Sequence, residues 1–282
     1  WMKTCGLDGI RIDASQTVDR IFLKQIKNRI NEVRPDAVVI GETLCPLDEA
    51  LDIPADIIYS LLVDNHVNVE RATPYYDLFE TYHRMFPMGT RALAYFENHD
   101  SDRASARWKE RYAQTLETDA AAKEWGWLDG EAAKDAAGVV ASLKSLQCSM
   151  INVISGAAGA VNFCYALENG SDFNESRRTD FENATTLDFS IRNAGVGDML
   201  HRAYSALHTL KQNLPIVKFG GVYYLRENLA GENDDRIFAL ARSAKGEAYV
   251  FAANLDAVAN REGVFSLDFL RLSCPGARKL EV

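Results

Sequence analysis

Hydrophobic and polar positions change period twice along the chain. "DGIRIDA" (8–14) alternates, with Ile10 and Ile12 on one side and Arg11 and Asp13 on the other, which predicts a short strand. In "TVDRIFLKQIKNRINEVRP" (17–35), Val18, Ile21, Phe22, Ile26, Ile30 and Val33 share one helical face, and Pro35 lies just beyond its end. Apolar strands follow in "DAVVIGET" (36–43), "ADIIYSLL" (55–62), "RALAYFENHD" (91–100) and "GAVNFCYALENG" (159–170). Between them, helical patterns cover 73–86 and 137–154, and residues 103–135 are charged and alanine-rich. After an amphipathic helix at 197–214 and Pro215, the period falls to two. "GGVYYLREN", "RIFALARSAKGEAYVFAANLD" and "GVFSLDFLRLS" predict antiparallel strands, with "AKGE" as a hairpin turn.

Strands separated by helices predict an α/β fold with a parallel sheet covered on both faces. The change of period divides the chain into 1–214 and a smaller antiparallel β-domain, 215–282. Polar residues gather at the carboxyl ends of the early strands: Arg11 and Asp13, then Glu42, then Asn98, His99 and Asp100. In parallel α/β folds, and above all in (β/α)8 barrels, that end carries the chemistry. A single Arg–Asp pair at a strand end is an ordinary structural ion pair. Polar groups on several strand ends are harder to explain that way.

Composition narrows the field. A net charge of −9 disfavours nucleic acid or an anionic membrane as the main partner. The longest apolar candidate for a membrane span, 149–167, is broken by glycines and reads as helix, turn and buried strand. The cysteines (5, 45, 148, 164 and 274) are odd in number and scattered, with no Cys-x-x-Cys. This disfavours zinc sites and disulfide frameworks and points to a reducing compartment such as the cytoplasm.

Carboxylates, an arginine and a histidine converging on a barrel mouth suit glycoside chemistry, which needs one carboxyl as proton donor and another as nucleophile or base. An arginine beside a carboxylate keeps it ionised, and burial at the end of an apolar strand favours the protonated form an acid requires. The expected roles are Asp13 as nucleophile, Arg11 as its partner and Glu42 as general acid/base. Asp100 and His99 would hold sugar hydroxyls. Strand-end acids can also bind a divalent metal, but a cation such as Arg11 beside a metal is repulsive.

"GLDGIRIDA", "VVIGET" and "YFENHD", in that order, resemble the second, third and fourth conserved regions of the α-amylase family, glycoside hydrolase family 13. "YALENG" (165–170) resembles the family's Tyr-Gly-x-Glu loop, with Ala166 in place of glycine. The helix at 197–214 and the alternating segments after it resemble the join to its C-terminal β-domain. The resemblance implies a (β/α)8 barrel of which only strands four to eight are present, followed by a small antiparallel β-sandwich. It implies a retaining hydrolase or transglycosylase acting on α-glucosidic bonds, with an α-glucan or oligosaccharide as substrate and no cofactor needed for the chemistry. Asp13, Glu42 and Asp100 match nucleophile, acid/base and transition-state stabiliser. Arg11, His99 and Arg103 match substrate-site residues.

Two departures stand out. Gln16 and Thr17 occupy the positions of a frequent Lys-His pair that lines the leaving-group subsites. Trp1 falls before barrel strand four, so the first conserved region and the domain that helps bind calcium have no counterpart. Five strands do not close an eight-stranded barrel, so upstream residues or another chain would complete it. A non-catalytic glucan-binding or assembly segment is the competing expectation.

The remaining singular residues have ordinary readings. His66, His83, His201 and His208 lack metal-ligand spacing. Tyr75, Tyr76, Tyr223 and Tyr224 can stack on sugars, although adjacent tyrosines more often have one buried and one half-exposed. Trp125 and Trp127 read as hydrophobic anchors of their excursion or as a sugar platform.

Overall fold

A computed structural model describes residues 1–43, 52–62, 69–85, 91–95, 108–109, 111–115, 131–155, 159–160, 190, 193, 195–227, 229 and 235–268. The first half builds a parallel sheet. Strands β1 (Gly9–Ile12), β2 (Val38–Glu42), β3 (Ile57–Leu62), β4 (Arg91–Tyr95) and β5 (Gly159–Ala160) lie side by side in chain order. All four pairings are parallel, so each strand points its carboxyl end the same way. Among the described residues the sheet is open, with β1 and β5 at its edges. Gly9 is required where β1 meets β2, because a Cβ there would stand 2.1 Å from the Val38 carbonyl oxygen.

Helix α1 (Met2–Cys5) precedes β1, and α2 (Arg20–Val33) returns the chain to β2. Asp19 caps α2 by accepting a hydrogen bond from the Phe22 amide at 2.9 Å. The helix stops before Pro35, as expected. Its buried face differs from the predicted stripe: Leu23 and Ile30 are buried and Val18 and Ile26 pack beside them, but Ile21 and Phe22 are exposed. Lys27 accompanies the buried face. It shares the inner side and pairs with Asp56 at 2.6 Å, and the other Asp56 oxygen accepts the Val39 amide at 2.9 Å. A charged anchor on the buried side is invisible to a pattern read from apolar residues alone.

Helices α3 (Ala72–Met85) and α4 (Glu131–Ile154) form the main core with the second sheet. The stretch Ala136–Ile154 of α4 is long and apolar enough, by length and composition, to cross a membrane. This corrects the expectation that no segment would be. In the fold most of it is buried, and Ala137, Ala141, Cys148 and Ile151 are core residues. Helix α5 (Gly195–Asn213) packs Leu200, Tyr204 and Leu207 into a neighbouring cluster.

The chain after Pro215 begins as a helix, not a strand. Pro215–Phe219 forms α6 with proline in its first turn, where the missing N–H costs nothing. Strands β6 (Gly221–Tyr224), β7 (Ile237–Ala244) and β8 (Glu247–Asn254) then pair antiparallel. Lys245 and Gly246 both have positive φ, the two-residue hairpin turn predicted from "AKGE". The strand expected from residue 263 is not formed over its described part, up to 268. Loop contacts hold that segment instead, including Leu229 N–H to the Val264 carbonyl at 2.6 Å.

Both Tyr75 and Tyr76 are buried, which corrects the expectation of one half-exposed ring. The Tyr76 hydroxyl accepts the Ala239 amide at 2.8 Å and donates toward the Leu225 carbonyl at 3.0 Å, fastening α3 to β7. Arg242, also buried, donates to the carbonyls of Ile154 at 3.0 Å and Val217 at 2.8 Å. A cation at the carboxyl end of α4 offsets the helix dipole there.

Candidate active site

The register of the first two strands builds the site. β1 and β2 pair from Gly9↔Val38 to Ile12↔Gly41, one position short of Asp13 and Glu42. Both carboxylates therefore leave neighbouring strands at the same end of the sheet. Arg11 joins them. Its Nη1 donates to Asp13 Oδ1 at 2.6 Å, and its Nη2 pairs with Glu42 Oε1 at 2.7 Å. One planar guanidinium thus bridges the two acids, as its fixed fork of donors allows.

The environments of the two acids differ. The Asp13 side chain is 77% exposed and that of Glu42 only 10%. A buried carboxylate is costly unless its oxygens are satisfied. Here Glu42 Oε2 accepts the Ala14 amide at 3.0 Å, so both oxygens have donors. The Arg11–Asp13 pair sits at the open end of the sheet, where water lowers the burial cost expected for an inward-facing pair.

The turn after Asp13 adds contacts that sequence patterns missed. Ala14 has φ 40°, and the short 3-10 turn Ser15–Thr17 follows it. Ser15 is fully buried and donates its hydroxyl to the Glu42 carbonyl oxygen at 2.5 Å. Gly41 leaves room for it: a Cβ there would stand 3.0 Å from Ser15 Oγ and 3.1 Å from Ile53 Cγ2. The available signals were a small hydroxyl residue two positions after Asp13 and a glycine immediately before Glu42.

His99, Asp100 and Arg103 lie outside the described residues, as do Asn98, Trp125, Trp127 and the "YALENG" loop. Gln16 and Thr17 are described, and the Thr17 hydroxyl donates to the Ala14 carbonyl at 2.8 Å. His83 stands on α3, and His201 and His208 stand on α5. Among the described residues, no group of three His, Cys, Asp or Glu side chains is placed to hold a metal ion. Cys5 and Cys148 are free thiols.

No sequence-family profile matches the chain, and no curated protein sequence matches it significantly. Solved structures do. An α-amylase from Geobacillus thermoleovorans, crystallised with acarbose, superposes with a TM-score of 0.61 at 17% identity, over 90% of this chain and 50% of its own. A cyclic α-maltosyl-(1→6)-maltose hydrolase from Arthrobacter globiformis gives 0.58 at 16% identity, over 88% and 49%. A debranching enzyme from Nostoc punctiforme gives 0.56 at 17%, over 89% and 47%. The chain spans about half the length of these structures. It carries the fold of the α-amylase-type barrel proteins over about half of their length, with a parallel sheet and a separate antiparallel three-stranded sheet.

Proposed function

We propose that this chain is the catalytic portion of a retaining enzyme acting on α-glucosidic bonds of α-glucans or malto-oligosaccharides, by hydrolysis or transglycosylation. The observation that carries the reading is the Arg11 bridge between Asp13 and Glu42 at the carboxyl ends of adjacent parallel strands. The sugar ligands and substrates named for the structurally similar enzymes agree with it.

In this reading the exposed Asp13 attacks the anomeric carbon and forms a covalent glycosyl-enzyme. Arg11 holds it ionised and aimed. Glu42 donates a proton to the departing oxygen, then removes one from the incoming water or sugar hydroxyl. The contacts in the structure suit the second half-reaction, because Glu42 accepts at both oxygens. For the first half, Arg11 must release Oε1 and stay with Asp13 alone. Retention requires the two carboxyl groups about 5–5.5 Å apart during turnover. Asp100 would stabilise the transition state, and His99 and Arg103 would hold sugar hydroxyls. No cofactor takes part in these steps.

The chain's span of about half its structural neighbours favours a second reading, a non-catalytic glucan-binding or assembly segment. Turnover separates the two. Purified protein is assayed on malto-oligosaccharides, alone and with any segment that completes the barrel, beside Asp13→Ala. Turnover that Asp13→Ala lowers by more than about 1,000-fold, with retained anomeric configuration, supports the enzyme. Binding without turnover in both forms supports the segment, and inverted products remove Asp13 as nucleophile.

A further inference from the structure

The turn that follows Asp13 grips Glu42 at both ends. Ser15 holds its main chain through the 2.5 Å hydrogen bond to the Glu42 carbonyl. Ala14 holds its carboxylate through the 3.0 Å contact to Oε2. Ala14 can aim its amide there because it adopts φ 40° and ψ 44°, a left-handed conformation that disfavours residues bearing a Cβ. The Ala14 carbonyl is itself fixed by the Thr17 amide at 2.9 Å and the Thr17 hydroxyl at 2.8 Å. Strain at a non-glycine residue persists only where its surroundings over-determine it. Here the surroundings are the strand end that carries Glu42.

We propose that Ser15 is a positioning residue for Glu42. With the Ala14 amide, it ties the exit of β1 to the end of β2 and sets the separation of the two catalytic carboxylates. The inference rests on the proposed function, in which Glu42 is the acid/base. Asp13 and Ser15 share one turn, so whatever fixes Ser15 to Glu42 also fixes Asp13 to Glu42. The Gly41 position is part of the device, because a side chain there would push Ser15 outward. A misplacement of about 1 Å at such a pair costs on the order of 100-fold in rate.

Two readouts on Ser15→Ala test this, with Gly41→Ala as a second variant that keeps the hydroxyl but displaces it. The first is hydrogen exchange of the Ala14 amide by NMR, on this chain without substrate. Glu42→Ala is the reference for loss of its acceptor. Both variants should speed Ala14 exchange about tenfold or more and leave β4 amides unchanged. The second is turnover in the active protein, on a malto-oligosaccharide and on an activated aryl α-glycoside whose departure needs no proton. The oligosaccharide kcat should fall about 10- to 100-fold with KM within about twofold, and the burst of phenolate from the aryl substrate, which reports glycosylation alone, should slow less than about threefold. Unchanged Ala14 exchange, or equal losses on both substrates, would overturn the positioning role. A wild-type protein that turns over neither substrate instead removes the proposed function and with it the catalytic meaning of the contact, which the exchange data read separately.

Discussion

Arg11 and Glu42 meet across two neighbouring strands, Nη2 to Oε1 at 2.7 Å, with the glutamate almost enclosed and the arginine partly open to water. This pair satisfies one oxygen of a carboxylate that would otherwise be buried with a single hydrogen bond. Arg11→Ala should therefore destabilise the chain by about 2 kcal/mol, the value of a charge-assisted hydrogen bond discounted for partial exposure. Arg11→Lys should recover less than half, since a single ammonium cannot span both acids. Urea denaturation followed by circular dichroism measures both, and a change below about 0.5 kcal/mol for the alanine variant would show that water replaces the guanidinium.

Glu42→Gln separates acid catalysis from nucleophilic attack under the proposed function. The amide cannot donate a catalytic proton, so turnover of malto-oligosaccharides should drop by more than about 100-fold. Activated aryl glycosides should retain much of their glycosylation rate, read as a burst of released phenolate. Equal loss on the two substrates removes Glu42 from the acid role.

Tyr76→Phe tests the joint between α3 and β7. Burial pushes the Tyr76 hydroxyl up to about 12 despite the Ala239 amide that it accepts, so it stays protonated and able to donate. Removing the oxygen strands the Ala239 N–H in the core, at a cost of about 1–3 kcal/mol. The melting temperature should fall by several degrees. An unchanged melt would mean that the amide finds another acceptor.

Asp256 sets an acid limit on the antiparallel region. Burial alone would raise its carboxyl, but hydrogen bonds from the Val258 amide, Arg261, Arg236 and the Ala259 amide outweigh that and hold it at about 2. Its side chain is almost inaccessible, and Arg236 contacts it at 2.6 Å. A carboxyl lowered on folding adds stability that is complete above its unfolded value near 4. That stability is lost as pH falls through about 2. Asp256→Asn should lower the melting temperature at pH 7 and flatten its decline between about pH 4 and 2. Parallel curves for the two proteins would assign the acid sensitivity elsewhere.

Local periodicity made the class of fold legible. The alternation in 8–14, the apolar runs at 36–43, 55–62 and 91–100, and the switch to period two after Pro215 follow from backbone geometry, which repeats every two residues in a strand and every 3.6 in a helix. The same alternation put Arg11 and Asp13 on one side, and the end of an apolar run put Glu42 at a strand terminus. The "AKGE" turn was readable because two consecutive positive φ angles favour few residue types.

What the periodicity left open depended on partners distant in sequence. The buried side of α2 carries Leu23, Ile26 and Ile30, and Lys27 reaches Asp56 from beside them. Tyr76 is buried because β7 supplies an amide and β7's neighbouring loop a carbonyl for its hydroxyl. Above all, Arg11 reaches Glu42 because the parallel register pairs Ile12 with Gly41, and Ser15 reaches the Glu42 carbonyl past a position where a Cβ would crowd its hydroxyl at 3.0 Å. By itself the sequence determined the elements and the chemical types at their ends, since both are local properties of the chain. The tertiary structure decided which of those groups touch, because parallel strands are joined through a helix, and their register is set by packing between segments that carry no local record of each other.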